Sequence, residues 1–187
     1  VGDEQAGQAV VVDPRRDIAE YLDDAKAHGL QIVGVINTHF HADFLAGHLE
    51  MAQATGAWIG YGQVAQAEYE IRPLHDGERI VLGDVSLEIM ETPGHTPESI
   101  SVLVYEHADD EVPYGALTGD ALFIGDVGRP DLLASIGVTA DELGVQRLGF
   151  SAIWHCVGHR QRVEGSLVRV GPALHSRQQP ASPRAKI

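Results

Sequence analysis

Cysteine, long apolar runs and basic side chains are all scarce in this chain of 187 residues. The single cysteine, Cys156, excludes an internal disulfide framework and fits a reducing compartment, so we expect a cytoplasmic protein. No apolar run is long enough to span a bilayer. The 13 lysine and arginine residues face 27 acidic ones, and the formal net charge of -14 would repel nucleic acid. We therefore expect one compact domain that has neither a membrane nor a nucleic acid as its partner.

Two histidines and a carboxylate follow a strand-like segment in the first quarter of the chain. Residues 32–36 are apolar and mostly β-branched, which is typical of a buried strand, and His39, His41 and Asp43 come soon after them. Side chains two positions apart in an extended segment point to the same side. Neutral imidazoles beside a carboxylate suit a borderline divalent metal. A polar strand end that holds two histidines for no chemical reason is the alternative reading of this stretch alone.

Two later strand-like segments each end in a further candidate ligand. His95 follows the segment 85–91, and the tight turn imposed by Pro93 and Gly94 would present it from a loop. Asp120 closes an apolar segment that ends in Thr-Gly-Asp. The three motifs in this order indicate a metal site far more specifically than any one of them does.

The motifs resemble those of the metallo-β-lactamase superfamily, and within it the persulfide dioxygenase branch. The resemblance covers about residues 1–144 and implies an α/β fold, the αββα sandwich of that superfamily. Bacterial members of this branch are often fused to a rhodanese domain, so the resemblance also implies a rhodanese partner, fused or separate. The segments that carry it are 37–43 (Asn-Thr-His-Phe-His-Ala-Asp), 92–97 (Thr-Pro-Gly-His-Thr-Pro), 117–120 (Leu-Thr-Gly-Asp) and 122–132 (Leu-Phe-Ile-Gly-Asp-Val-Gly-Arg-Pro-Asp-Leu).

One position departs from the superfamily pattern His-x-His-x-Asp-His. Phe44 stands where the pattern has its last histidine, which helps to hold a second metal in two-metal members. A phenyl ring cannot coordinate a metal, so a hydrolytic mechanism that uses two ions is disfavoured. The resemblance assigns His39, His95 and Asp120 as iron ligands. Two histidines and one carboxylate are the ligand set of non-haem Fe(II) oxygenases, so we expect one Fe(II) per chain, with zinc as the alternative.

The resemblance also implies roles for residues around the metal. His41 lies beside the iron and Asp43 orients a ligand histidine through its ring N–H, which places both residues in the catalytic machinery. Arg129 either meets a carboxylate of the substrate or forms a structural ion pair with a neighbouring aspartate.

The activity implied by the resemblance is oxidation of a low-molecular-weight thiol persulfide, such as glutathione persulfide, by O₂ to sulfite and free thiol. Two alternatives stay open at this point. One is a Zn-dependent thioester hydrolase of the glyoxalase II kind, and the other is an inactive, truncated member of the family.

Periodicity predicts the elements between the motifs. Apolar residues at spacings of three and four predict a helix over 17–28, a strand follows over 30–38, and a second helix spans 42–55 and closes at Gly56. Gly83-Asp84 predicts a hairpin turn.

The charge balance changes abruptly after Gly144. Residues 1–144 hold 26 acidic and 6 basic side chains, whereas 145–187 hold 1 acidic and 7 basic ones. Hydrophobic periodicity also fades there, and a late Pro-x-His-Gly of the family is not found. We interpret 145–187 as an atypical basic tail that arises from a frameshift or an altered terminus, or else as a divergent, genuine segment. With the chain starting at Val1, the family fold is expected to be incomplete at both ends.

Overall fold

The computed structural model describes residues 1–123 with their side chains and, beyond them, the backbone of three short strands at 126–127, 163–164 and 167–169. Arg129 and most of the predicted tail lie outside the described residues.

The first sheet has five strands in the order β1-β2-β3-β4-β5. Its first pair is antiparallel, and β2, β3, β4 and β5 run parallel to one another. Helix α1 connects β2 to β3, and α2 connects β3 to β4, which are the crossovers that parallel strands require. The bounds are β1 Gly2–Asp3, β2 Gln8–Val12, α1 Ala19–Ala27, β3 Gln31–Ile36, α2 His48–Thr55, β4 Trp58–Gly62 and β5 Arg72–Leu74.

The second sheet has six strands in the order β12-β13-β9-β8-β7-β6, and every neighbouring pair is antiparallel. A 3-10 turn at Gly119–Ala121 follows β9 and leads into the two-stranded β10-β11 hairpin. The bounds are β6 Arg79–Leu82, β7 Val85–Glu91, β8 Ile100–Tyr105, β9 Gly115–Leu117, β10 Leu122–Phe123, β11 Asp126–Val127, β12 Val163–Glu164 and β13 Leu167–Arg169.

The two sheets pack face to face around one apolar core. Val10, Ile36 and Leu74 of the first sheet join seven buried residues of the second sheet in a single cluster. On the opposite face of the first sheet, Ala25 of α1 and Met51 of α2 pack against buried strand residues. The described layers are therefore helix, sheet and sheet, which confirms the α/β sandwich. The prediction of a second helical layer, as in the αββα arrangement, concerns residues outside the described ones.

The predicted elements agree with the structure except at the start of α2. The helix begins at His48, not at residue 42 as predicted, and it ends as expected with Gly56 in the left-handed region at a φ of 74°. Residues before His48 form a loop because the chain there is bound to the exit of β2. Gly47 donates its backbone N–H to Pro14 O, and Ala46 forms a bridge with Arg15.

Strand β13 lies beyond residue 144, inside the segment interpreted as a basic tail, and pairs with β9. The origin of that segment stays a prediction. Within the described part of the chain, neither helix has the length and apolar character needed to cross a bilayer.

An ion pair joins the turn between β6 and β7 to the loop after β8. His107 Nδ1 lies 2.8 Å from Asp84 Oδ2, and the backbone N–H of His107 donates to Asp110 Oδ2. The hydrogen bond to Asp84 raises the pKa of the His107 imidazole above its ordinary value of 6.5. Because the folded-state pKa is raised, this contribution to stability is complete below about pH 6.5 and is lost as the pH rises through the folded pKa.

Replacing the buried Leu87 by alanine tests the shared core. Leu87 is fully buried between the sheets, so Leu87→Ala should lower the free energy of unfolding by about 2–5 kcal/mol. Val81 lies exposed on the neighbouring strand, and Val81→Ala should change it by less than about 0.5 kcal/mol. Chemical denaturation measures both values. Equal effects of the two substitutions would contradict the assigned core.

Replacing His107 by glutamine tests the sign of its pH dependence. The glutamine amide can still donate a hydrogen bond to Asp84 but carries no charge, so the variant loses only the ionic part of the contact. The deficit in unfolding free energy against the wild type should be larger at pH 5.5 than at pH 9. Denaturation curves at the two pH values measure it, and a deficit that grows toward pH 9 would show that the direction is wrong.

Candidate metal centre

Three candidate ligands from three different loops meet at one end of the sandwich. His39 follows β3, His95 lies in the loop between β7 and β8, and Asp120 lies in the 3-10 turn after β9. One ligand atom of each lies within 4.8 Å of the other two. The separation between His95 Nε2 and Asp120 Oδ2 is 3.6 Å. Among the described residues, no other group of three or more metal-ligating side chains lies this close together.

Backbone hydrogen bonds bring the two sheets together at this end. The N–H of Ile100, at the start of β8, donates to Thr38 O at 2.8 Å, and the N–H of Asn37 donates to Gly60 O of β4. Glu98 adds a side-chain link, because its buried carboxylate accepts the N–H of Phe40 at 2.9 Å. The segment that carries His39 is therefore tied to the loop that carries His95.

The site is buried on one side and open on the other. His39 is 2% exposed, whereas the side chains of His95 and Asp120 are 16% and 40% exposed. Burial lowers the pKa of the His39 imidazole, and the charge of His41 lowers it further, while Asp120 and Asp13 act in the opposite direction. A lowered pKa keeps His39 neutral near pH 7, which is the form that binds a metal.

The three side chains fit a single divalent ion. Ligands that lie about 2.0–2.2 Å from a common metal are separated from one another by distances close to the 3.6 Å found here. His39 Nδ1 lies 3.0 Å from Thr38 Oγ1, so the other ring nitrogen is left for the metal. His95 Nδ1 is buried without a hydrogen-bond partner in the described part of the chain, and its Nε2 is the atom near Asp120. Both rings thus present Nε2 to the site.

His41 lies beside this group and is not part of it. Its ring centroid is 4.2 Å from that of His39, and its Nε2 lies 2.8 Å from Asp13 Oδ1. The ring of Phe44 also packs against it, with centroids 4.3 Å apart. His41 thus lies beside the candidate ligands, and its catalytic role stays a prediction.

Asp43 is not brought against a ligand histidine in the described structure. Its side chain is exposed and has no hydrogen bond or ion pair with the residues described. Asp13 instead makes the carboxylate contact to a histidine. The catalytic role of Asp43 stays a prediction, and Arg129 lies outside the described residues.

The sequence reading missed three residues that hold the site: Asp13, Thr38 and Glu98. Asp13 is not among the residues that the sequence motifs single out. Its position at the end of an apolar strand was nevertheless a usable signal, because the carboxyl ends of neighbouring parallel strands lie at the same edge of a sheet. For Thr38 and Glu98 no comparable signal was present, since their roles depend on which loops meet.

A cavity of about 570 Å³ lies between β2 and α1. It reaches Asp13 and Gly119, but none of the three candidate ligands lines it. The chemistry indicated by the ligands therefore lies outside this cavity.

Residues 4–171 match the protein-family model described as the metallo-beta-lactamase superfamily. The chain belongs to this superfamily. Its α/β sandwich is thus the metallo-β-lactamase fold. Members of this superfamily bind metals, and the three-ligand group is the candidate metal site of this chain.

Among curated relatives, the chain is similar to members with two different activities. It is 34% identical over 137 residues to the mitochondrial persulfide dioxygenase ETHE1 of Bos taurus, which covers 70% of this chain and 50% of the relative. It is 36% identical over 124 residues to a hydroxyacylglutathione hydrolase of Hahella chejuensis, covering 66% and 46%. The chain thus spans about half the length of the curated relatives it matches.

Solved structures give the same two results, a shared fold and partial coverage. A metallo-β-lactamase from Staphylococcus aureus subsp. aureus COL superposes with a TM-score of 0.72 at 35% identity, covering 81% of this chain and 46% of that one. ETHE1 from Myxococcus xanthus superposes with a TM-score of 0.60 at 30% identity, covering 70% and 55%.

Replacing Gly119 by alanine tests how the Asp120 turn is placed. Gly119 has a φ of 49°, and an added Cβ would lie 2.3 Å from Thr38 Oγ1. Gly119→Ala should therefore displace the turn or Thr38 and lower Zn(II) affinity by about tenfold or more. Gly77→Ala is the matched control, because Gly77 also has a positive φ but an added Cβ would meet nothing within 4 Å. Competition with a zinc chelator measures both, and equal affinities of the two variants would contradict this account.

Proposed function

We propose that this chain carries the metal centre of a persulfide dioxygenase, with one Fe(II) held by His39, His95 and Asp120. The observation that carries the proposal is the convergence of two histidines and one carboxylate at a site that is open on one side. This ligand set with free positions is typical of non-haem Fe(II) oxygenases. The persulfide dioxygenase relatives, which are 34% identical or less, support the choice of substrate.

The reaction proposed is balanced by dioxygen and water alone. A thiol persulfide, O₂ and water give the free thiol, sulfite and two protons. The two sulfur atoms of the persulfide together lose four electrons, and these reduce the dioxygen. A ferrous ion at the site would supply the redox chemistry that lets dioxygen react with a sulfur compound.

In this proposal the protein holds the metal, shields one side of the site from solvent and leaves the other side open to substrate. The buried His39 anchors the inner side of the site, and the partly exposed Asp120 faces the open side from which substrate would enter. Phe40 and Phe123 are exposed and lie one and three positions after the ligands His39 and Asp120, so they are candidates for apolar contact with substrate. His41, with its Nε2 bound to Asp13, has a fixed ring orientation next to His39, which suits a role in orienting substrate.

A zinc-dependent thioester hydrolase is the second candidate, because the chain is also 36% identical to a hydroxyacylglutathione hydrolase. The packing of Phe44 against His41 disfavours this candidate. A phenyl ring occupies the position of a ligand to the second ion, and metal-assisted hydrolysis of this kind uses two ions to activate water and stabilise charge. The third candidate, an inactive member of the family, is separated from both by activity measurements.

Several expectations are kept as parts of this proposal. They are catalytic roles for His41 and Asp43, contact of Arg129 with substrate, glutathione as the carrier thiol, a rhodanese partner and a cytoplasmic location.

Oxygen uptake by the chain, measured after it has been loaded with iron anaerobically, tests the proposed reaction. The chain is loaded with one equivalent of Fe(II), glutathione persulfide and O₂ are added, and O₂ loss and sulfite are followed together. The expected result is uptake coupled one to one with sulfite. His39→Ala should abolish both because it removes a ligand, whereas His28→Ala, at the exposed end of α1, should leave both unchanged.

Metal content and a thioester assay decide between the alternatives. Binding of two zinc ions with hydrolysis of a hydroxyacylglutathione, in the absence of sulfite formation, would replace the dioxygenase by the hydrolase. Tight binding of one iron with neither activity would favour the inactive family member.

A further inference from the structure

The carboxylate of Asp13 is the centre of a hydrogen-bond network that reaches two histidines. Its Oδ2 accepts the hydroxyl of Thr38 at 2.8 Å, and its Oδ1 accepts the backbone N–H of Thr38 at 2.8 Å. The same Oδ1 lies 2.8 Å from His41 Nε2. The Thr38 hydroxyl in turn lies 3.0 Å from His39 Nδ1. Asp13, Thr38 and the two histidine rings thus form one connected relay.

The direction of each hydrogen bond in this relay follows from what each group can donate. A carboxylate only accepts, so the single hydrogen of the Thr38 hydroxyl is committed to Asp13. The hydroxyl oxygen can then only accept from His39, which puts the ring hydrogen of His39 on Nδ1. Nε2 of His39 keeps its lone pair and is the atom left for the metal. By the same reasoning, the hydrogen of His41 that faces Asp13 is on Nε2.

The backbone of Asp13 shows that this arrangement is held against a local preference. Asp13 is the non-glycine residue with a positive φ in the described structure, at 49°. L-residues are disfavoured there, although aspartate and asparagine tolerate the region better than most. Its N–H donates to Ile36 O at 2.8 Å, which directs the carboxylate at the residues that follow β3. Such strained positions persist where the surrounding structure fixes them, and they cluster at functional sites.

We propose that Asp13 is a positioning residue that acts through Thr38 to set the ring tautomer of His39 and so prepares Nε2 for metal binding. The inference rests on the proposed metal centre, since it assigns a metal-facing nitrogen. It adds that Asp13, which follows β2, controls the chemistry of a ligand that follows β3 without touching the metal. Outer groups that orient a ligand histidine usually change metal affinity by about 10- to 100-fold when they are removed.

The substitution Asp13→Asn separates this role from a purely structural one. The backbone N–H of Thr38 can only donate, so the amide oxygen of the asparagine must stay opposite it. The amide NH₂ then faces the Thr38 hydroxyl and donates to it. The hydroxyl must now give its own hydrogen to His39 Nδ1, which moves the ring hydrogen of His39 to Nε2. The variant keeps the shape of the side chain and a residue suited to positive φ, yet it inverts the relay.

The experiment compares four variants of the full chain. Asp13→Asn inverts the relay, Thr38→Val interrupts it, and Thr38→Ser restores the hydroxyl. Thr55→Val is the matched control, because Thr55 at the end of α2 also uses its hydroxyl in a hydrogen bond, to Met51 O, far along the chain from the ligands. Ring tautomers are read from ¹⁵N-histidine NMR of the metal-free protein at pH 8. Affinity for Zn(II) alone is read by chelator competition, and thermal denaturation of the metal-free protein checks folding.

We expect the ring hydrogen of His39 to be on Nδ1 in the wild type, Thr38→Ser and Thr55→Val, and on Nε2 in Asp13→Asn. Zn(II) affinity should fall by about 10- to 100-fold in Asp13→Asn and less in Thr38→Val. A merely structural Asp13 predicts the opposite order, since asparagine preserves shape. An unchanged His39 tautomer in Asp13→Asn, or a greater loss in Thr38→Val, would overturn the proposal. A wild type that binds no Zn(II) or Fe(II) would refute the proposed metal centre, while the NMR of the metal-free protein would still decide the relay.

Discussion

The hydroxyl of Thr38 is the contact on which much of the geometry of the candidate metal centre depends, because it links the end of β2, the segment that carries His39 and the turn that carries Asp120. It donates to Asp13 at the end of β2, accepts from the ring of His39 after β3, and leaves no room for a side chain on Gly119 beside Asp120. A shift of Thr38 would therefore move a ligand on each sheet at once. The residue itself cannot bind the metal in this arrangement, since its oxygen is fully engaged.

Close approach of backbones is what allows so many loops to meet at one edge. An added Cβ on Gly62 would lie 2.2 Å from Glu98 O, and one on Gly47 would lie 2.2 Å from Arg15 O. Gly47 lets the loop after β3 pack closely against the segment after β2, and Gly62 lets the loop after β7 pack closely against β4. A larger residue at either position would not permit these distances. The apolar core holds the two sheets together, and these contacts decide where the polar loops lie at its end.

The candidate ligands differ in their exposure to solvent, and this difference has chemical consequences. The inner histidine, His39, is kept neutral by desolvation, which favours metal binding but would be costly for a charged group. Asp120 stays partly exposed, so the carboxylate that would balance the charge of a bound ion is also in contact with solvent. Phe44 stands where the superfamily pattern has a further ligand, and its phenyl ring packs on His41 but cannot bind a metal. These features together favour one ion with open positions over a closed or paired site.

The sequence alone was sufficient to predict the α/β class, the strand that precedes His39, the end of α2 at Gly56, and four candidate ligands, from which the resemblance to the superfamily selected His39, His95 and Asp120. Those features depend on local hydrophobic periodicity, on glycine at a left-handed position and on residue chemistry, all of which can be read over a few positions. The start of α2 at His48 instead of residue 42 was not predictable in this way, because the exit of β2 binds the loop before it. The same holds for Glu98, whose partner Phe40 lies 58 positions away in the chain. For Asp13 the end of an apolar strand indicates its place at this edge of the sheet, but not its partner Thr38, which lies 25 positions away. Local patterns specified which residues could bind a metal, and only the tertiary structure decided which groups orient them, since orientation depends on the directions of hydrogen bonds between segments distant in sequence.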